Sequence, residues 1–382
     1  MPDKRIKVAH ILNSMGGVEI YVRLTVENCN PDLFTNIIIQ GKNNKDKEYR
    51  DKNNNVIPKF ILPITREIHV IRDIKAIYRT IRLLKREKPD VIHTHSAKGG
   101  LIGRVASFFY PVNVLYTPHA YSYLSTSNSL KRYFFLTVER ILKYKSILVA
   151  CSMSEYTRGI KEVGYKRSRV ELFNNSVLPI NPDAITSSFL YNLPKEYICT
   201  VGRPSYQKNI EMMVEVIREA KKEINNIHLV VMGVGEYYPN LEAVKGLIKE
   251  YNLEDHITLV KWINRTDIFK IVSESKFYIS TSRYEGLPYS MIEALALRKC
   301  FVVTACDGNK DLVIDQHNGY TIDENNVKKM AEKVVELYQN KQIRRKMELN
   351  SIRLFEKRYN LAENIIVLEK IYQKYSGIIN NY

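Results

Sequence analysis

The stretch TSRYEGLPYSMIEALAL, residues 281 to 297, sets two acids, Glu285 and Glu293, eight positions apart in an otherwise apolar and small-residue run. A carboxylate accepts two hydrogen bonds at once, so a ligand-facing acid can hold the vicinal hydroxyls of a ribose. Pro288 fits the first turn of a helix running to about residue 297. That puts Glu293 on the helix, at the pentose, and Glu285 in the loop before it, at the hydroxyls or phosphates of the rest of a ligand. Acids of this kind also occur as caps or surface ion pairs on ordinary amphipathic helices. The second feature is GRPSYQKN, residues 202 to 209, between a strand-like run and a helical one. Gly202 lets the chain turn tightly, and Arg203 and Lys208 flank a helix amino terminus where N–H groups and the dipole favour an anion. A planar guanidinium fork and a mobile ammonium together suit a diphosphate, although two such cations alone read equally as solvated surface charges.

Glycines and histidines mark further positions. GVGE (233 to 236) lacks the third glycine and the distant acid that dinucleotide binding expects, so Gly233 and Gly235 indicate only a place where backbone can approach a flat base. MGGVE (15 to 19) follows the first strand-like run, and its adjacent Gly16 and Gly17 suit close passage of a phosphate or bulky ligand over a helix start. HTHS (93 to 96) and TPHA (117 to 120) each end a strand-like run. His119, after a proline in a loop, is placed to hydrogen-bond a substrate hydroxyl or to change its protonation near neutral pH. His93 and His95 read as core or surface histidines.

The elements that must position these residues alternate from end to end. Strand-like runs at 6 to 12, 36 to 40, 59 to 63, 90 to 95, 113 to 117, 146 to 150 and 169 to 173 are separated by segments of helical period such as 68 to 88 and 129 to 145. The rhythm restarts at 197 to 202 and continues through 227 to 233, 256 to 260, 276 to 280 and 300 to 304, and from about 324 the pattern is all helical. Between the halves, VLPINPDAITSSFLYNLPKE (177 to 196) carries three prolines and no period, which reads as a linker. The expected fold is α/β: two Rossmann-like doubly wound domains facing across a cleft, residues 1 to 178 and 179 to 357. A terminal helix, 358 to 382, packs back on the first domain.

A chain of 382 residues with 45% hydrophobic content supports two cores. Five scattered cysteines without a C-x-x-C pair suit reduced core thiols rather than disulfides or zinc. No apolar run approaches the roughly 20 residues of a membrane span, and the amino terminus lacks a signal-peptide core, so a cytoplasmic protein is expected. Residues 1 to 180 hold 30 Lys+Arg and 15 Asp+Glu, net +15, leaving +2 for the rest. That asymmetry points to an anionic partner for the first half. In residues 69 to 86, Ile71, Ile74, Ile77/Tyr78, Ile81 and Leu84 form one stripe, with Arg72, Lys75, Arg79, Arg82 and Arg86 on another. Residues 129 to 146 add Lys131, Arg132, Lys143 and Lys145 beside Tyr133, Phe134 and Phe135. Basic helices with exposed aromatics fit an anionic lipid surface, and equally a solvated face whose aromatics belong to the core. Nucleic-acid binding has only the charge in its favour, because the RNA-binding aromatic signature, zinc-finger spacing and a compact helix-turn-helix are missing from the sequence.

GGVE, TPH, GR followed by KN, G-x-G-E and E-G-L-P-x-S-x-x-E-A, in that order over nearly the whole chain, resemble the family 4 glycosyltransferases. These are retaining enzymes of the GT-B architecture that transfer a sugar from a nucleotide donor. The resemblance implies that Arg203 and Lys208 hold the donor diphosphate, that Glu293 takes the ribose and that Glu285 lies near the donor sugar. It places Gly16, Gly17, Gly202, Gly233, Gly235, Gly286, Leu287 and Ser290 around the nucleotide, and His119 near the transferred sugar. Arg203, Lys208, Glu285 and His119 are thereby the catalytic set. No permanently bound cofactor and no metal ion are implied. The leaving diphosphate is stabilised by cations and N–H groups, and the acceptor hydroxyl attacks from the face the phosphate leaves. A hexose or N-acetylhexosamine donor, UDP-sugar favoured over GDP-sugar, and a lipid-linked glycan acceptor in bacterial-type surface polysaccharide synthesis are expected. The setting would be the inner face of the cytoplasmic membrane, without nucleic acid. Ala120 stands where many relatives have glycine, and DGNKDLV (307 to 313) where they have G-G-x-x-E. A nucleotide-sugar epimerase of related fold is the alternative reading.

Overall fold

The computed structural model describes residues 4–13, 16–42, 47–65, 67, 69–186, 192–235 and 240–377. It divides into two compact units, residues 1–175 with 361–382, and residues 176–360. The sequence reading put the first boundary three residues later and began the terminal helix at 358. Residues 176 and 177 go with the second unit because Val177 bridges to Asn360, its N–H donating to the Tyr359 carbonyl.

The first unit carries seven strands: β1 (Ile6–Leu12), β2 (Phe34–Gln40), β3 (Lys59–Ile61), β4 (Val91–His95), β5 (Asn113–Thr117), β6 (Ile147–Ala150) and β7 (Val170–Leu172). Their order is β3-β2-β1-β4-β5-β6-β7 and every ladder is parallel. Runs such as AHIL in β1 and NIII in β2 are buried throughout, as expected for strands covered on both faces. Order reverses between β1 and β4, which opens a crevice at the carboxyl ends of those strands. Helices α1 (Gly17–Asn28), α2 (Val70–Glu87), α3 (Ser96–Ala106), α4 (Ser129–Leu142) and α5 (Met153–Arg158) follow in chain order. Gly99 of α3 permits close approach to β1, since a Cβ there would stand 2.5 Å from the Ile11 carbonyl oxygen.

On α2 the expected apolar stripe does not define the packed face. Asp73, Ala76, Thr80, Leu83 and Leu84 are buried, whereas Ile71 and Tyr78 are 74% and 59% exposed. The acid can face inward because Lys98 of α3 lies 2.8 Å away and neutralises it. Ile71, Ile74 and Tyr78 thereby share the outer face with Arg72, Lys75, Arg79 and Arg82.

The second unit has six parallel strands: β8 (Ile198–Val201), β9 (Leu229–Met232), β10 (Ile257–Val260), β11 (Tyr278–Ser280), β12 (Phe301–Thr304) and β13 (Gly319–Ile322), in the order β10-β9-β8-β11-β12-β13. The edge strand β13 was not anticipated from the sequence. It is short, opens on glycine and leaves Thr321 partly exposed, so it lacks the continuous apolar run that marks the inner strands. The helices are α6 (Ile210–Ala220), α7 (Leu241–Glu250), α8 (Arg265–Glu274), α9 (Tyr289–Ala296), α10 (Asn309–Leu312), α11 (Val327–Gln339) and α12 (Lys341–Arg358). The reversal of strand order falls between β8 and β11, the strands that lead into GRPSYQKN and the acid-bearing segment.

The last helix, α13 (Leu361–Tyr375), belongs to the first unit. Its Tyr372 is fully buried, and the Glu369 carboxylate accepts from the Asn30 N–H at 2.7 Å.

Candidate active site

Two loops meet at the reversal point of the second sheet. Thr281 after β11 donates its hydroxyl to the Asn209 carbonyl at 2.8 Å, and the Arg283 N–H donates to the Gln207 carbonyl. These bonds bring Lys208 and Glu285, 77 residues apart in sequence, into an ion pair of 2.8 Å. The same Glu285 oxygen accepts from Ser282 Oγ at 2.8 Å, and the other accepts from Gln207 Nε2 at 3.1 Å. Burial works against the charged ammonium, but the adjacent carboxylate outweighs it and holds Lys208 above the usual lysine range. Gly202 lies under the Lys208 stem, where a Cβ would stand 3.2 Å from its methylenes. Arg203 follows, partly exposed, in the same loop. At the next strand end, Gly233 has φ +86°, a conformation open to glycine, and Gly235 is two residues on. Glu236 of that stretch and Met15 of the first glycine stretch lie outside the described residues.

Pro288 caps α9, and Glu293, one turn inside, is buried. Arg265 at the start of α8 donates Nε to Glu293 Oε1 at 2.9 Å and adds a second bond from Nη2 to the same oxygen. Both bonds fall on Oε1. Burial raises the Glu293 carboxyl above the ordinary range, with Arg265 acting the other way. Ser290, on the same helix, accepts from the Tyr278 hydroxyl at 3.1 Å. Gly286 and Leu287 are buried in the loop before it. Gly308 packs onto this loop so tightly that a Cβ would stand 2.7 Å from Glu285 Cβ. Arg265, Gln207 and Ser282 were not found by sequence reasoning. Nothing in their local spacing distinguishes them from surface polar residues.

In the first unit, Gly16 has φ +57° at the start of α1 and Gly17 is its first residue. Glu19 is engaged by Arg23 at 3.2 Å. His119 and Ala120 both take positive φ, +54° and +81°. Ala120 donates its N–H to Glu155 Oε1 at 3.0 Å, and the other Glu155 oxygen accepts from the Cys151 N–H at 2.8 Å. Glu155, likewise missed, therefore pins the TPHA loop in a costly backbone conformation. The Tyr21 ring meets the His119 ring edge-on at 4.8 Å.

His93 and His95 are fully buried with His10. Nitrogens of these three lie within 4.8 Å of one another, the one group of this kind among the described residues close enough to share a metal ion. All three already hold other partners. His93 is bonded to Tyr372 Oη and Thr117 Oγ1, both at 2.9 Å, and His10 to Asn36 Oδ1 and His95 Nε2, both at 3.2 Å. Burial pushes His10 down to about 4, His119 to about 3, and His93 and His95 well below the ordinary histidine value, so His119 stays neutral near pH 7 and is not the neutral-pH sensor its loop position suggested.

A family model described as Glycosyltransferase Family 4 matches residues 15–178, and one described as Glycosyl transferases group 1 matches residues 183–353. The chain belongs to glycosyltransferase family 4. This glycosyltransferase is 26% identical over 340 residues, 85% of each chain, to the UDP-Gal:alpha-D-GlcNAc-diphosphoundecaprenol alpha-1,3-galactosyltransferase of Escherichia coli. It is 22% identical to the capsular polysaccharide biosynthesis glycosyltransferase CapM of Staphylococcus aureus, over 94% of this chain and 98% of that one. Sucrose-phosphate synthase of Thermosynechococcus elongatus superposes with a TM-score of 0.82 at 19% identity, over 97% of this chain and 99% of that chain, and shares the GT-B fold. No helix among the described residues is long and apolar enough to cross a membrane.

Proposed function

We propose that this glycosyltransferase moves a hexose or N-acetylhexosamine, with retention, from a UDP-sugar to a lipid-linked glycan acceptor in bacterial surface polysaccharide synthesis. The observation that carries the reading is the pairing of Lys208 with Glu285 at the strand-order reversal of the second sheet, with Glu293 on the helix that follows the same loop and bonded by Arg265 through one oxygen. Lys208, Arg203 and the N–H groups at the start of α6 stabilise the diphosphate as the sugar–phosphate bond breaks, so no metal ion is needed for that charge. Glu293 takes the ribose hydroxyls. The acceptor oxygen forms its bond to the anomeric carbon on the face the phosphate leaves, and its proton passes to the departing phosphate oxygen. Glu19 and Glu155, the acids near the first-unit glycine and histidine loops, are held by Arg23 and by backbone N–H groups, which speaks against either as a nucleophile.

The acceptor reading rests on exposed apolar residues set among cations. On α4, Leu130 and Tyr133 are 81% and 68% exposed beside Lys131 and Arg132, and α2 presents the outer face described above. Such faces fit an anionic lipid surface, here assigned to the inner leaflet where a lipid-linked diphosphate would be presented. The E. coli relative names an acceptor of this class. The test is incubation of the purified enzyme with UDP-sugars and a lipid-linked N-acetylglucosamine diphosphate, with and without chelator. Acceptor-dependent UDP release and a glycosylated lipid by mass spectrometry, unchanged by chelator, are expected. UDP-sugar converted to its epimer without acceptor would replace this reading with the epimerase one.

A further inference from the structure

The histidines of the first unit form a directed hydrogen-bond chain. Asn36 Oδ1 meets His10 Nε2 at 3.2 Å, His10 Nδ1 meets His95 Nε2 at 3.2 Å, and His95 Nδ1 meets His119 Nε2 at 3.3 Å. A neutral imidazole has one donor and one acceptor nitrogen, so one fixed end propagates through the series. With an amide oxygen as terminal acceptor, His10 carries its proton on Nε2 and accepts at Nδ1. His95 then donates from Nε2 and accepts at Nδ1, and His119 donates from Nε2. His93 stands beside the chain and obeys the same logic. The Thr117 hydroxyl donates to the Val149 carbonyl at 2.9 Å, so Thr117 Oγ1 accepts from His93 Nε2, and His93 Nδ1 accepts from Tyr372. The rings of His10 and His95 are stacked at 5.4 Å, and those of His95 and His119 at 5.5 Å.

We propose that Asn36, His10 and His95 are positioning residues that lock His119 in the Nε2–H tautomer and leave its Nδ1 as the hydrogen-bond acceptor for a hydroxyl of the transferred sugar. The tautomer is fixed before substrate arrives, which removes a wrong-way-round population that could only repel or misplace that hydroxyl. The sugar contact rests on the function proposed above, while the tautomer does not. Each ring in the series acts on the next, and only His119 touches substrate.

The experiment is two-bond nitrogen–proton correlation NMR on the full chain with ¹⁵N-labelled histidine, with the His119 resonances assigned from a His119→Asn sample. Wild-type His119 is expected to show a protonated Nε2 and bare Nδ1, with the Nδ1 resonance moving when UDP-sugar is added. His10→Phe removes the relay and should give His119 in both tautomers with kcat lowered about tenfold to a hundredfold and nucleotide affinity kept. His10→Gln, which keeps a donor and an acceptor, should restore the single tautomer and most of kcat. A wild-type His119 protonated at Nδ1 would overturn the proposal even if the phenylalanine variant failed to fold. So would added zinc capturing the His10 and His95 nitrogens, or a His10→Phe protein with the wild-type tautomer and rate. The expected tautomer without any response to UDP-sugar would leave the relay standing and remove His119 from the proposed sugar site.

Discussion

Lys208 and Glu285 show why a site residue is more than its charge. Each is largely enclosed, so removing one partner strands the other in a medium that solvates it poorly, a cost of about 3–5 kcal/mol. Lys208→Ala is expected to lower both the melting temperature and turnover. Lys208→Ala combined with Glu285→Gln should recover most of the melting temperature but none of the turnover, read by calorimetry and steady-state kinetics. Recovery of both together would mean the pair is structural. Glu293 is a different case, raised by burial and held down by Arg265. Glu293→Gln should weaken UDP binding by about tenfold to a hundredfold, the worth of charge-assisted hydrogen bonds. In Arg265→Ala the carboxyl loses its counter-charge and rises further, so its ionised form needs a higher pH. Titration calorimetry should show the pH midpoint of UDP binding moving upward, and an unmoved midpoint would separate Arg265 from the nucleotide site.

The helix α2 and the TPHA turn carry the next predictions. The outer face of α2 contributes little to packing, so Ile71→Ser with Ile74→Ser should change stability by no more than about 0.5 kcal/mol while reducing flotation with anionic vesicles. A large loss of stability would mean that these residues are covered by the protein itself. At Ala120 the left-handed conformation costs an L residue roughly 1–2 kcal/mol, more than the roughly 0.5–1 kcal/mol of extra chain freedom a glycine must surrender. Ala120→Gly should therefore raise the melting temperature, where glycine normally lowers it. The alanine here is held in place by the Glu155 bond.

For the protein taken as one, the first unit carries an acid-sensitive core. His10, His93 and His95 have folded-state values below the unfolded 6.5, so the unfolded chain binds more protons as pH falls. Their contribution is fully present above about pH 6.5 and is lost as pH drops toward 4, at up to about 1.4 kcal/mol per group and pH unit. The sole tryptophan, Trp262, lies in the second unit. Far-ultraviolet dichroism should therefore lose signal between pH 6.5 and 5 before Trp262 fluorescence changes, and coincident transitions would contradict a separate histidine origin. The bury-or-expose choice behind this was illegible locally. HTH ends a strand in either case, and its buried histidines are matched by His10, Thr117 and Tyr372, brought in from three other elements.

By itself the sequence determined the alternation of strands and helices and the two parallel sheets, because apolar periodicity and glycine placement act over a few residues. By resemblance it also marked Arg203, Lys208, Glu285 and Glu293. It did not determine β13, whose edge position needs no apolar run, nor the face on which α2 packs, which a buried Asp73–Lys98 pair decides. Only the tertiary structure joined Lys208 to Glu285, Arg265 to Glu293, and Asn36 through two imidazoles to His119. Those contacts span tens of residues, and their energies come from burial and partner geometry that no local pattern encodes.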